Sequence, residues 1–216
     1  MDLLGGRRAL ILAPHPDDES LGCGGLIAAA CAAGLAPEVV ILTDGAASHP
    51  GSRTHPPLRL ARLREAEARA ALAILGLPAC HAHFLRQPDT ALAVDGAIID
   101  RLVEIGAGCG VVIGPWAGDP HRDHTAAAMI AQAVAIRTGM ALLSYPVWGR
   151  LRKDGALREL PALRLDISPQ LAVKTRAIAA HESQYGGVIK DSPEAFCLPA
   201  ELLTVFAQPY EIYLPA

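Results

Sequence analysis

His15, Asp17, Asp18 and Glu19 put one imidazole and three carboxyls within five residues, inside Ile11-Leu-Ala-Pro-His-Pro-Asp-Asp-Glu-Ser-Leu-Gly-Cys-Gly-Gly25. Carboxylates this close repel one another, and a divalent cation relieves that repulsion; His15 and Asp18 offer it a nitrogen and an oxygen. A second cluster, Pro115-Trp-Ala-Gly-Asp-Pro-His-Arg-Asp-His-Thr125, supplies His121, Asp123 and His124. His124 would complete a set of two histidines and one carboxylate with coordination positions left open, the mark of a catalytic ion. Zinc is the expected cofactor, since neither a four-sulfur cage nor an all-oxygen shell is available; the same ligand types suit Fe(II). Asp17, beside the ligand but free of it, is the expected general base for a water whose pKa the metal lowers towards about 7. His121, held and polarised by Asp123, can donate to an oxyanion or protonate a leaving amine. The pattern points to metal-assisted hydrolysis of an amide or ester. The competing view of the first cluster, a solvated turn whose acids cap a helix, leaves the prolines around His15 unexplained. The second cluster, after another apolar run, weighs for the ion.

Both clusters need elements that bring them together. Ala9 to Ala13, Val39 to Leu42 and Gly110 to Ile113 are short apolar runs of the kind buried on both faces of a parallel sheet. Between them, Leu21 to Ala33, Leu58 to Leu75 and Val94 to Ile105 are predicted helices, the first stopped by Gly34 and the second by Gly76 and Pro78. Cys80 to Leu85 is a predicted strand. A helix following the second cluster to Thr138 is stopped by Gly139, and Ala141 to Val147 is a further strand. Leu151 to Ile167 reads as a polar connection with a short strand near its end. Ser168-Pro169 is expected to cap a helix running to His181, and Tyr210 to Leu214 to form an edge strand. The alternation predicts a Rossmann-like α/β fold, a mostly parallel sheet with helices on both faces, in a single domain spanning 1–216. Both clusters then lie at the carboxyl edge of the sheet, where such folds bind ligands. Ala46 to Pro57, rich in Ser, Gly, Pro and His, is expected to be a functional loop over that edge.

Composition narrows the function classes. A net charge of −3 and the lack of a basic run with interleaved aromatics argue against nucleic acid or anionic lipid as partner. No span of about 18 apolar residues is present for a membrane crossing, and the start of the chain lacks a cationic, apolar leader, so a cytoplasmic location is the expectation. Five cysteines with no Cys-x-x-Cys pair read as buried thiols in a reducing compartment. Gly22, Gly24 and Gly25 do not make a dinucleotide site, because that fingerprint needs glycines where this chain has its acids. His81 and His83, alternating on one strand face, read as packing. His49 and His55 are read as solvated loop residues, and His181 either as a satisfied histidine at a helix end or as a support for the site.

His15-Pro-Asp-Asp18 with Glu19, followed by His121-x-Asp-His124, resembles the paired signatures of the LmbE-like, or PIG-L, deacetylases. The likeness extends through Thr43-Asp-Gly45, Arg64-x-x-Glu67 before Leu75-Gly76, and Lys174 ahead of His181-x-Ser-Gln184. It implies a zinc hydrolase removing an acyl group from an amino sugar, with His15, Asp18 and His124 as ligands and Asp17 as base. His121 becomes the acid or oxyanion partner, Asp123 its orienter, and Arg64 and Asp44 substrate contacts. Trp116 has two readings, a stacking surface for a sugar or a shield for the metal. Arg122 departs from the proline common in the family. The implied partner is a small amino-sugar conjugate; a homo-oligomer is expected by analogy alone. A metal-dependent phosphoesterase and a non-catalytic sugar-binding relative are the rivals. The first is opposed by the shortage of basic residues near the clusters, the second by the presence of a free base.

Overall fold

A computed structural model describes residues 3–152, 157, 159–185 and 187–215; part of the expected connection between 151 and 167 lies outside them. The strands are β1 (Ala9–Ala13), β2 (Glu38–Thr43), β3 (Ala82–Gln87), β4 (Val111–Pro115), β5 (Ala141–Tyr145), β6 (Leu163–Asp166) and β7 (Tyr210–Pro215). The helices are α1 (Asp18–Ala32), α2 (Pro57–Ile74), α3 (Gly96–Ile105), α4 (Arg122–Thr138), α5 (Leu171–Ala179) and α6 (Ala200–Phe206). The sheet order is β3-β2-β1-β4-β5-β7-β6, parallel from β3 to β5 and antiparallel at β7 and β6. The predicted α/β architecture is thus the observed one.

Strand β1 shows why its residues are apolar throughout. Ala9, Ile11 and Ala13 pack with Leu26 and Ile27 of α1, Leu72 of α2 and Ile178 of α5, whereas Leu10 and Leu12 pack with Leu102 of α3 and Ile130 and Val134 of α4. A strand covered on both faces has no solvent side on which to place polar residues. Chain order reverses between β1 and β4, since β1 continues through α1 to β2 on one side while β4 lies on the other. The crevice at that reversal is where open α/β sheets hold ligands. The turns leaving β1 and β4 carry the two clusters.

Several sequence expectations are corrected. Helix α1 begins at Asp18, not Leu21, so Asp18 and Glu19 form its first turn. Ser168 and Pro169 lie in a short 3-10 turn before α5 instead of capping it, the Ser168 hydroxyl donating to Asp166 Oδ1 at 2.6 Å. Strand β7 is interior, pairing with both β5 and β6, and β6 is the edge. Of the cysteines only Cys23 is buried, while Cys80 and Cys197 are exposed. His49 is buried, with Nδ1 3.0 Å from the Ser48 hydroxyl. Among the described residues no helix is long and apolar enough to cross a membrane.

The α1 glycines serve packing. A Cβ on Gly22 would stand 2.1 Å from the Tyr145 ring, and one on Gly25 2.5 Å from Ile167. Tyr145 is wholly buried, with its hydroxyl donating to Leu12 O at 2.9 Å, so it cannot swing away. Gly22→Ala is expected to destabilise the fold by about 1–3 kcal/mol through overpacking, read as a lower urea midpoint at constant slope. An unchanged midpoint would contradict this packing account.

Candidate active site and metal centre

The turn after β1 is fixed from several sides. Pro14 O accepts from the Thr43 amide at 2.9 Å and the Thr43 hydroxyl at 2.8 Å, and Arg64 Nη2 donates to Pro16 O at 2.8 Å. Asp17 sits at the N-cap of α1 with φ 140° and ψ −29°, a conformation that costs a non-glycine residue about 1–3 kcal/mol. Its surroundings hold it there. The Asp17 amide donates to Glu19 Oε2 at 3.0 Å, and Glu19 Oε1 receives the Ser20 hydroxyl at 2.7 Å with His181 Nε2 3.0 Å away. Asp17's own carboxylate makes no cap bond; it accepts from Arg64 Nη2 at 3.2 Å. The capping reading fits Glu19, which accepts the amide of the N-cap residue, and leaves the Asp17 carboxylate outside it.

Asp18 Oδ2 is the meeting point. It lies 3.1 Å from His15 Nδ1 and 3.3 Å from His124 Nε2, and accepts the His15 amide at 2.9 Å. The far nitrogen of each imidazole has its own carboxylate. His124 Nδ1 is 2.9 Å from Asp119 Oδ2, and His15 Nε2 is 3.2 Å from both Asp123 Oδ2 and Asp89 Oδ1. With the proton of His124 on Nδ1, its Nε2 presents a lone pair, and that atom is buried without a hydrogen-bond partner. A lone pair facing a carboxylate oxygen is repulsive unless a proton or cation lies there. The donor set thus fits a divalent ion. Electrostatics agree: burial by itself would lower His124, but the charge of Asp18 and the bond to Asp119 outweigh it and push the imidazole up to about 9. These surroundings favour positive charge at that point.

His121 is brought to the same place. Its ring centroid is 4.7 Å from that of His15 and 5.4 Å from that of His124. One nitrogen from each of the three histidines can lie within 4.8 Å of the others, as can atoms of His15, Asp89 and Asp123. His121 Nδ1 accepts the Asp123 amide at 3.2 Å, capping α4, which assigns the ring proton of the neutral form to Nε2. Burial, with the charges of His15 and His124, lowers its pKa, so this ring is neutral at pH 7 and a donor through Nε2. Asp123 does not orient His121 through its carboxylate, as the sequence reading expected. That carboxylate faces His15 and accepts the amides of Thr90 at 2.7 Å and Leu92 at 3.1 Å.

A cavity of about 190 Å³ opens over these groups, lined by His15, Asp17, Asp18, Arg64, Asp89 and His121 among others. Arg64 lines it but is buried, its guanidinium bonded to Asp17, Pro16 O and Gly45 O, so it holds the base instead of reaching freely for a substrate. Asp44 lies outside this cavity, in a neighbouring groove, with Oδ1 accepting the Ala46 amide at 3.0 Å. Trp116 is absent from the lining as well; Trp148 takes that place, while Trp116 packs over Gly118 and Gly149, where added Cβ atoms would come within 2.3 and 2.6 Å of its ring. Arg122 is exposed and outside the lining.

Asp89 and Asp119 escaped the sequence reading. Asp119 stands within the second cluster, five residues before His124, and was detectable as an acid next to a candidate ligand. Asp89 belongs to no motif; its only signal is its place just after β3, at the same sheet edge.

The family described as PIG-L: GlcNAc-PI de-N-acetylase matches residues 10–135, which run from β1 into the last turns of α4 and include both clusters. The chain belongs to the PIG-L family. It is 30% identical over 244 aligned positions to the 1D-myo-inositol 2-acetamido-2-deoxy-alpha-D-glucopyranoside deacetylase of Actinosynnema mirum, covering 85% of this chain and 83% of that protein. Similarity to the diacetylchitobiose deacetylase of Thermococcus kodakarensis is 28% over 200 positions, covering 83% of this chain and 70% of that protein. The fold matches that of GalB, the 4-carboxy-2-hydroxymuconate hydratase from Pseudomonas putida, with a TM-score of 0.71 at 21% identity, over 93% of this chain and 82% of that one. This PIG-L member therefore shares its fold with proteins named for different reactions, and its chemistry must be argued from its own site.

Removing the partner of His124 should weaken the centre without deleting a candidate ligand. Asp119→Asn is expected to lower divalent-metal affinity by about 10–100-fold, measured by competition with a chromogenic chelator. Unchanged affinity would mean that Asp119 does not orient His124.

Proposed function

We propose that this protein is a divalent-metal-dependent amidohydrolase that removes an N-acyl group from an amino-sugar conjugate, with zinc as the resident ion. The observation that carries the proposal is the convergence of His15 Nδ1, Asp18 Oδ2 and His124 Nε2 beside a strained carboxylate, Asp17, that Arg64 holds. Family membership and two relatives named as amino-sugar deacetylases support the amide over other bonds. A phosphoester is disfavoured because Arg64, the only Lys or Arg among the described cavity-lining residues, is committed to Asp17 and two carbonyls.

His15, Asp18 and His124 would hold the ion, which when bound polarises an amide carbonyl and acidifies water. Asp17 takes the proton of the attacking water, and Arg64 keeps its carboxylate aimed while disfavouring its protonation. His121, neutral and carrying its proton on Nε2, hydrogen-bonds to the developing oxyanion, and the proton taken by Asp17 passes to the departing amine, which returns Asp17 to its carboxylate. Asp123 and Asp89 fix the ring of His15, and Asp119 that of His124.

Burial raises Asp17 and the charge of Arg64 pulls it down, leaving it at about 6. A base must be ionised, so kcat/KM falls as pH drops through that region. A bound cation favours the carboxylate, placing the limb of the loaded enzyme at or below about 6. Arg64→Met removes a lowering influence and should move the limb to higher pH; a limb that stays in place or moves down would contradict the role given to Arg64.

Asp17→Asn is expected to keep its metal while losing about 10²–10⁴-fold in turnover, measured by amine release from N-acetylated glycosides with phosphoesters as controls. His121→Ala should also keep the metal. Full activity in Asp17→Asn would remove it as base, and metal loss in His121→Ala would make His121 a ligand.

A further inference from the structure

One wall of the cavity takes no part in this chemistry. It consists of Leu21, Val147, Trp148, Phe196 and Leu198. Leu21, Val147 and Leu198 are buried, whereas Trp148 and Phe196 keep part of their ring surface uncovered and meet edge to face with centroids 5.6 Å apart. Hydrogen bonds build this wall deliberately. Asp191 accepts the hydroxyls of Ser52 and Thr54 at 2.7 Å each and the amides of Arg53 and Thr54 at 2.9 Å each. The Ser192 hydroxyl donates to Pro50 O, the Phe196 amide to Ser48 O and the Leu198 amide to Gln184 O, each at 2.8 Å. The segment from Asp191 to Leu198 is thereby laced to the loop after β2, and it carries Phe196 and Leu198 to the cavity.

A pyranose ring can cover one aromatic face, and the remaining apolar side chains then stay unmatched. Sugar hydroxyls gain nothing from them, whereas an apolar substituent removes both surfaces from water. The polar side of the cavity points the same way. Asp17, Asp18 and Asp89 line it against a single guanidinium, that of Arg64, which is already paired with Asp17, so outside the ion the charge of the cavity disfavours a phosphate or carboxylate.

We infer that the substrate is an uncharged amino-sugar conjugate bearing an apolar group, either an aglycone or an acyl chain longer than acetyl, that packs on Trp148, Phe196 and Leu198. This rests on the deacetylase reading given above.

The test compares kcat/KM of the metal-loaded enzyme for N-acetylglucosamine, its phenyl β-glycoside, N-hexanoylglucosamine and N-acetylglucosamine 1-phosphate. The phenyl glycoside or the hexanoyl amide should exceed the free sugar at least tenfold, and which one does so identifies the source of the apolar group. The 1-phosphate should fall below the free sugar. In Phe196→Ala and Trp148→Ala the preference ratio should shrink towards one. Equal values across the set, a preference for the 1-phosphate, or a ratio unmoved in both variants would overturn the inference. Absence of turnover on every amide would instead sink the deacetylase reading. The wall is then judged by calorimetry on Asp17→Asn, where at least tenfold tighter binding of the phenyl glycoside or the hexanoyl amide than of the free sugar supports it and equal binding overturns it.

Discussion

A single carboxylate oxygen, Asp18 Oδ2, stands between two imidazole nitrogens, and much of the molecule is arranged to keep it there. The residue is almost fully buried, so its charge has lost most of its hydration and must be met by positive charge or by donors. The protein supplies the His15 amide, yet leaves the lone pair of His124 Nε2 pointing at the same place without a partner. Each ring is pinned from behind by a carboxylate, Asp119 for His124 and Asp123 with Asp89 for His15. A positive charge at that point, a proton or a metal ion, is what these surroundings favour.

The sheet makes the meeting possible. Because β1 and β4 are neighbours across the reversal in strand order, turns separated by about a hundred residues of chain open into one crevice. Helices then enter at once: α1 starts at Asp18 and α4 at Arg122, so the clusters occupy first turns and N-caps, rigid positions instead of loose loop. The φ of Asp17 is the visible strain of this packing. Glu19, Ser20, His181 and Arg64 together over-determine it, which is how a carboxylate can sit beside the proposed metal position without joining it.

Much of this was legible in the residue order. Strands buried on both faces announce themselves as unbroken apolar runs, and β1 begins and ends where its run does. Two acid-and-histidine clusters after such runs imply one sheet edge, and the fold brings them together. Partnerships between side chains distant in sequence were less readable. Asp123 looked like the companion of His121 because they are two residues apart, but the first turn of α4 sends its carboxylate across to His15. Arg64 and Asp17, 47 residues apart, are joined only once α2 packs beside the β1 turn. Trp116 was a plausible sugar platform by type, but close glycine contacts hold it away from the cavity, and Trp148, which carried no signal in the sequence, lines it instead. The end of the sheet was misjudged for a similar reason, since Tyr210 to Leu214 shows strand propensity but not its neighbours, and only pairing with β6 makes β7 interior.

The account therefore stands or falls on where an ion sits. Crystals of protein purified without added metal, measured on both sides of the zinc absorption edge, would locate it directly by anomalous difference. The account predicts one strong peak bounded by His15 Nδ1, Asp18 Oδ2 and His124 Nε2. A peak among His15 Nε2, Asp89 and Asp123 instead, or no peak there after soaking with zinc, would contradict it.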